Sequence, residues 1–196
     1  MLTSLADEVL GLLRAAAVRT EALARAAELA CPALCGRCCL ANEVESTVLE
    51  MLPAARELLR RGEAEAWLAR LAAPGLPARC VLYSPLTADG TRGRCSLYER
   101  RPSVCRLFGF AARRDKHGRP ELVACAVHRE ERPGETARAA SLVAEGFPAA
   151  VFADEHVAIA AVHPTLGTEL LPINVALARA LEALALEERL RAEQGG

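Results

Sequence analysis

The residues of this chain with chemistry to offer are its eight cysteines, Cys31, Cys35, Cys38, Cys39, Cys80, Cys95, Cys105 and Cys125. The first four form a knuckle, C-x3-C-x2-C-C, and the rest are widely spaced singles. Free cysteine is often a small buried hydrophobe, but four of them within nine residues are too many for that reading. A disulfide framework would need an oxidising compartment. Ligation is the remaining chemistry, because thiolates are the soft ligands that iron–sulfur clusters and zinc select. A two-residue gap lets the sulfurs of Cys35 and Cys38 converge on one ion or cluster. The distant singles would then tie the middle of the chain to the knuckle, and metal binding would supply part of the folding free energy.

The adjacent pair Cys38-Cys39 bears on the number of centres. Consecutive side chains diverge, most clearly in extended backbone, so one four-ligand centre does not readily recruit both. Eight sulfurs make two sets of four, the count of a four-thiolate zinc site or a cubane cluster. The division would give Cys38 and Cys39 to different centres and leaves the other six unassigned. A single centre with spare cysteines is the competing arrangement. Arg37, Arg79, Arg94 and Arg106 each adjoin a cysteine and could offset excess thiolate charge. About two such neighbours arise by chance at this arginine content.

The elements that must position these residues read as mainly helical. Apolar residues make up 52% of the 196-residue chain, much of it alanine. Seven aromatics are too few for a β-sandwich, and small side chains favour close-packed helices. Ser4 can cap a helix whose apolar positions Leu5, Val9, Leu12, Ala16, Leu23 and Ala27 recur at helical steps, ending near Ala30 ahead of Pro32. Thr47 and Glu50 have capping-box spacing for a second helix, which Pro53 would kink or whose start it would move. Gly62 separates it from a shorter helix through Trp67 and Leu71, which Pro74-Gly75 stops.

From Cys80 to Cys125 the pattern changes. Cys80-Val81-Leu82-Tyr83 reads as a short strand with Asp89-Gly90 in the following turn, and Pro102 opens a short helix carrying Cys105. Phe108–Arg113 and Glu121–Cys125 pair as a hairpin across Asp115-Lys116-His117-Gly118. Helices follow at 135–145, 149–161 and 172–193, the last with Ile173, Leu177, Leu181 and Leu184 on one stripe. The expected architecture is mainly α: one domain over 1–196, with helices clasping a loop-rich cysteine core that carries a small β-hairpin. That core spans 31–125, with helical additions at 1–30 and 133–196.

The knuckle and the block Arg94-Cys95-Ser96-Leu97-Tyr98-Glu99-Arg100-Arg101-Pro102-Ser103-Val104-Cys105-Arg106-Leu107-Phe108 resemble the YkgJ-type CxxCxxCC family of zinc- or iron-chelating domains. That family has a cysteine knuckle, an isolated cysteine, a C-s-[IL]-Y-e-x-R-P-x-x-C-R-x-[FY] block and a late cysteine. Cys80 and Cys125 fill the isolated and late positions here, and the knuckle departs by one extra residue between Cys31 and Cys35. The resemblance covers about residues 31–125 and implies metal chelation by all eight cysteines. It supplies no defined reaction. One relative, the flagellin lysine methylase, carries a similar cysteine region and modifies protein lysines, but nothing outside that region here transfers the activity.

Within the block, Pro102 fixes a helical turn that aims Cys105, and Arg106 is the candidate cofactor-binding side chain, able to bond a thiolate, a cluster sulfide or a carboxylate such as Glu99. Tyr98 and Phe108 read as a lid that keeps water from the metal. Other signals are set aside. Cys31, Cys35 and Cys38 also match the spacing of radical S-adenosylmethionine enzymes, but Arg37 stands where an aromatic precedes the third cysteine, and the barrel's βα units are missing. His128 lies three residues after Cys125, which makes a C-x2-H pair, but with eight cysteines available it reads as a surface residue rather than a ligand; Asp154 and Glu155 read as a solvated helix face. His117, His156 and His163 have no sequence partner.

The net charge of −1 gives no field toward nucleic acid or an anionic membrane, and neither is expected as a partner. The N-terminal run lacks a basic region, no apolar stretch reaches membrane length, and the expected location is cytoplasmic. Three function classes remain open: an iron–sulfur protein in redox or electron transfer with a redox protein partner, a zinc protein with a structural or storage role, and a cluster-bearing protein-modifying enzyme like the methylase.

Overall fold

The computed structural model describes residues 1–76 and 78–194. Three long helices carry most of the core: α1 (Leu2–Ala27), α2 (Val48–Arg60) and α9 (Ile173–Gln194). Leu49, Met51, Leu52 and Leu58 of α2 are fully buried with Leu13 of α1 and Leu177, Leu181 and Leu184 of α9. Full burial of each such side chain stabilises the fold by about 1.5–3 kcal/mol. The expected stripe on the last helix therefore faces this core.

Helix α1 starts earlier than Ser4. The backbone N–H of Leu2 donates to the Glu187 carboxylate of α9 at 3.0 Å, so a tertiary partner does the work of a local cap. The helix ends at Glu28, in left-handed backbone at φ 54°, before Pro32 has any influence. The capping box of α2 is formed as expected, with Thr47 accepting from the Glu50 backbone at 3.1 Å, and the helix runs on through Pro53. Helix α3 (Ala64–Leu71) follows the Gly62 break.

The middle segment holds two hairpins where the sequence pattern shows one. Strands β2 (Tyr83–Pro85) and β3 (Gly93–Cys95) pair antiparallel with Tyr83 opposite Cys95. Cys80 precedes β2 in a turn rather than opening a strand. Helix α4 (Ser103–Leu107) carries Cys105, with Pro102 as its N-cap residue. The expected hairpin is present as β4 (Ala112–Arg114) and β5 (Pro120–Leu122). Helices α5 (Ala126–Glu131), α6 (Pro133–Ala144), α7 (Phe152–Ala160) and the single turn α8 (Pro164–Gly167) complete the outer shell.

A two-residue pair of strands, β1 (Glu45–Ser46) with β6 (Leu171–Pro172), clamps the start of α2 to the start of α9. A smaller core of Leu23, Ala27, Leu29, Ala112, Ala139 and Val143 joins the end of α1 to α6 and β4. Glu155 is buried and paired with Arg19 of α1, so that side of α7 is an interface and not the solvated face expected. Among the described residues no helix is long and apolar enough to cross a membrane.

Candidate metal centre

The knuckle is shaped by its neighbours as much as by its own sequence. Cys35 bridges to Arg92, Gly36 N–H donates to Thr91 at 2.8 Å, and Gly93 N–H donates to Leu34 at 2.9 Å. The knuckle is thus zipped onto the turn between β2 and β3. Tyr83 makes this approach possible only because the knuckle offers a glycine. Its hydroxyl donates to the Gly90 carbonyl at 2.7 Å, and a Cβ on Gly36 would stand 1.7 Å from that oxygen. A 3₁₀ turn over Arg37–Leu40 then presents Cys38 and Cys39.

Around the knuckle the thiols fall into two neighbourhoods. Burial pushes the Cys31 thiol up to about 11, and the charges of Cys125, Cys35 and Cys38 push in the same direction. Burial likewise raises Cys105, with Cys80 and Cys95 adding to it, and Cys95 adds to the rise of Cys80 to about 11. Cys39 feels Cys105 and Cys95. Cys31, Cys35 and Cys125 thus form an outer set and Cys80, Cys95 and Cys105 an inner one, with Cys38 and Cys39 between them, Cys38 acting on Cys105 as well as on Cys31. Cys80, Cys95 and Cys105 pack against the main core, whereas Cys31 and Cys38 are exposed. The seam between the groups is the Cys38-Cys39 pair, whose side chains act on each other so that the Cys38 thiol is lowered and the Cys39 thiol raised.

Each group has its own scaffold. The Cys80 turn is held by Asn174 on α9, whose Oδ1 accepts from Val81 N–H at 2.9 Å and whose Nδ2 donates to the Arg79 carbonyl at 3.0 Å. Cys95 lies on β3 and Cys105 on α4, whose first residue, Ser103, is bonded to the buried Glu50. Cys125 is the N-cap of α5 and accepts from His128 N–H at 3.3 Å. His128 is 0% exposed, against the surface position expected of it, and its Nε2 lies 3.4 Å from Cys31 Sγ. Burial lowers its basicity, which favours the neutral imidazole. Asn174, Glu50 and the burial of His128 had no signal in the spacing of the sequence, because each acts on a segment far away along the chain.

The arginines are arranged differently from the adjacency pattern. Arg106 is 9% exposed, and its guanidinium donates to the backbone carbonyls of Arg101 at 2.8 Å and Glu99 at 2.5 Å. Among the described residues it makes no hydrogen bond to a thiol. Arg101 is the cation that both groups feel, since its charge lowers Cys31 and Cys38 on one side and Cys95 and Cys105 on the other. It donates to the Cys105 carbonyl at 3.3 Å and stacks on the Tyr98 ring at 3.4 Å. Tyr98 is 56% exposed and Phe108 is exposed too, so neither forms the expected lid.

The donors suit a soft metal, being thiols crowded enough to raise one another and a buried imidazole whose Nδ1 has no hydrogen-bond partner. They are gathered but not closed: among the described residues no group of three or more His, Cys, Asp or Glu side chains stands ready to hold an ion as it is. Uncompensated thiolates repel, and closure of such a set is the work of the metal.

A mainly helical scaffold carries eight free cysteines, four of them in one knuckle. The profile of the CxxCxxCC family, described as a "putative zinc- or iron-chelating domain", matches residues 30–134, more than half of the chain. The chain belongs to that family, and it binds metal. No curated protein and no solved structure matches it.

Proposed function

We propose that the chain holds two thiolate centres with different tasks, and that it works in the cytoplasm as a small redox protein. The observation that carries this reading is a contrast in setting: Cys80, Cys95 and Cys105 pack on the core, whereas Cys31 and Cys38 are exposed. Cys39, Cys80, Cys95 and Cys105 would form the structural centre, tying the knuckle to β3 and α4. Cys31, Cys35, Cys38 and Cys125 would hold an iron–sulfur cluster near the surface, within reach of a redox protein partner. Such a cluster supplies one-electron chemistry. The protein's part is to fix the sulfurs, to balance their charge with Arg101, and to leave one edge open. A zinc-only reading, with metal structural or stored, draws support from His128 beside Cys31, since mixed thiolate and imidazole sets suit zinc.

Metal and acid-labile sulfide analysis of anaerobically purified protein, with its visible spectrum, tests the choice. Iron with sulfide and a coloured protein supports the redox reading. Colourless protein with zinc and no sulfide overturns it in favour of the zinc one.

A further inference from the structure

We propose that His128 is itself a metal ligand of the outer centre, adding an imidazole nitrogen beside the sulfurs of Cys31 and Cys125. This rests on the reading that the outer thiols hold metal. It adds a ligand that the cysteine pattern does not contain, and it places the late segment of the cysteine core, 125–128, on the metal by two side chains instead of one.

Three observations point the imidazole at a metal. The first is distance. A metal held at about 2.3 Å from sulfur and 2.0–2.1 Å from nitrogen, with a tetrahedral angle between them, spaces the two donors about 3.5 Å apart. The Nε2 of His128 and the Sγ of Cys31 already stand 3.4 Å apart, although the two residues are far apart in sequence. The second is burial. A histidine that packs only as a core residue finds hydrogen-bond partners for its ring nitrogens. The His128 side chain has its Nδ1 buried and unpaired, and its Nε2 is turned to sulfur. The third is the frame that fixes the ring. Phe110 meets it edge-on at a centroid distance of 4.8 Å. Gly109, at φ +89°, lets the backbone pass so close that a Cβ there would stand 3.1 Å from Cε1. Cys125 and His128 occupy one helical turn at i, i+3, the spacing at which two side chains share a face. The bond from His128 N–H to Cys125 Sγ steadies that sulfur without using all its lone pairs.

The decisive measurement is X-ray absorption at the edge of whichever metal the purified protein carries, on wild type and on His128→Gln and His128→Cys. The expected wild-type shell contains imidazole nitrogen beside sulfur. His128→Gln should lose that nitrogen and release metal from one centre to a chelator at least about tenfold faster. His128→Cys, which restores a donor, should retain the metal with a sulfur-only shell. A sulfur-only shell in wild type overturns the proposal, and so does a Gln variant with unchanged shell and release. The wild-type spectrum decides even if a variant does not fold. Protein that takes up neither iron nor zinc would instead overturn the underlying metal reading, and metal content tells that failure apart from a sulfur-only shell.

Discussion

Glu50 and Ser103, far apart in sequence, are joined twice: one Glu50 carboxylate oxygen accepts from both the backbone N–H and the hydroxyl of Ser103. The other oxygen closes the capping box of α2, accepting from Thr47 N–H at 3.4 Å and from Ser46 Oγ at 3.3 Å. A single buried carboxylate, 3% exposed, therefore fixes the start of α2 to the start of the helix that carries Cys105.

Replacing that carboxylate should be felt in two places. Glu50→Gln puts an amide N–H₂ against donors on one side, and a buried donor left unpaired costs about 1–3 kcal/mol. The urea midpoint should fall with little change in slope. The metal of the inner group should also be released faster to a chelator, because Cys105 sits two residues beyond Ser103. A variant that matches wild type in both measurements would show that the tie contributes nothing.

Separate Cys38→Ala and Cys39→Ala variants should lose different metal equivalents. Fully loaded wild type is expected to carry two centres, with Cys38→Ala depleting the outer and Cys39→Ala the inner. Metal stoichiometry with spectra of each variant reads this directly. One centre in wild type that survives loss of either cysteine would refute the division.

Arg101 and Arg106 should separate cleanly. Arg101→Leu removes the charge that lowers thiols in both groups and is expected to weaken metal retention about 10–100-fold, or to shift a reduction potential, with a small effect on folding. Arg106→Leu strips the carbonyls of Glu99 and Arg101 of their buried donor and should cost about 1–3 kcal/mol of stability. Its loss of metal should then follow from the altered path of the Tyr98–Arg101 turn. Chelator competition and urea unfolding on both variants check the pair; a reversed pattern would make Arg106 the partner of the thiolates.

Complete chelation should loosen the molecule unevenly. The ladder between Leu34–Gly36 and Thr91–Gly93 is made of backbone hydrogen bonds and should keep its protection from exchange. The Arg37–Leu40 turn and α5, tied to the rest through the outer thiols and His128, should lose theirs, while α1, α2 and α9 hold. Hydrogen exchange that is the same with and without metal throughout 31–131 would remove the structural role of the metal.

The spacing of the cysteines, the capping box at Thr47 and Glu50, the Gly62 break and the apolar stripe of α9 were all legible in the sequence. Each depends on residues within a turn or two of one another. The β2–β3 hairpin was not, because its strands are three residues long and contain Pro85 and Gly93, which carry no strand pattern. The start of α1 has no local signal, because its cap comes from Glu187, at the opposite end of the chain.

By itself, then, the sequence determined the chemistry: thiols in number and spacing that select a soft metal, and helices to carry them, since ligand type and local periodicity are properties of short segments. The tertiary structure decided which thiols share a neighbourhood, which arginine balances them and which histidine faces them. Those depend on how distant segments pack. Arg106 adjoins a cysteine in sequence and turns to backbone carbonyls, whereas His128, 97 residues from Cys31, lies against its sulfur.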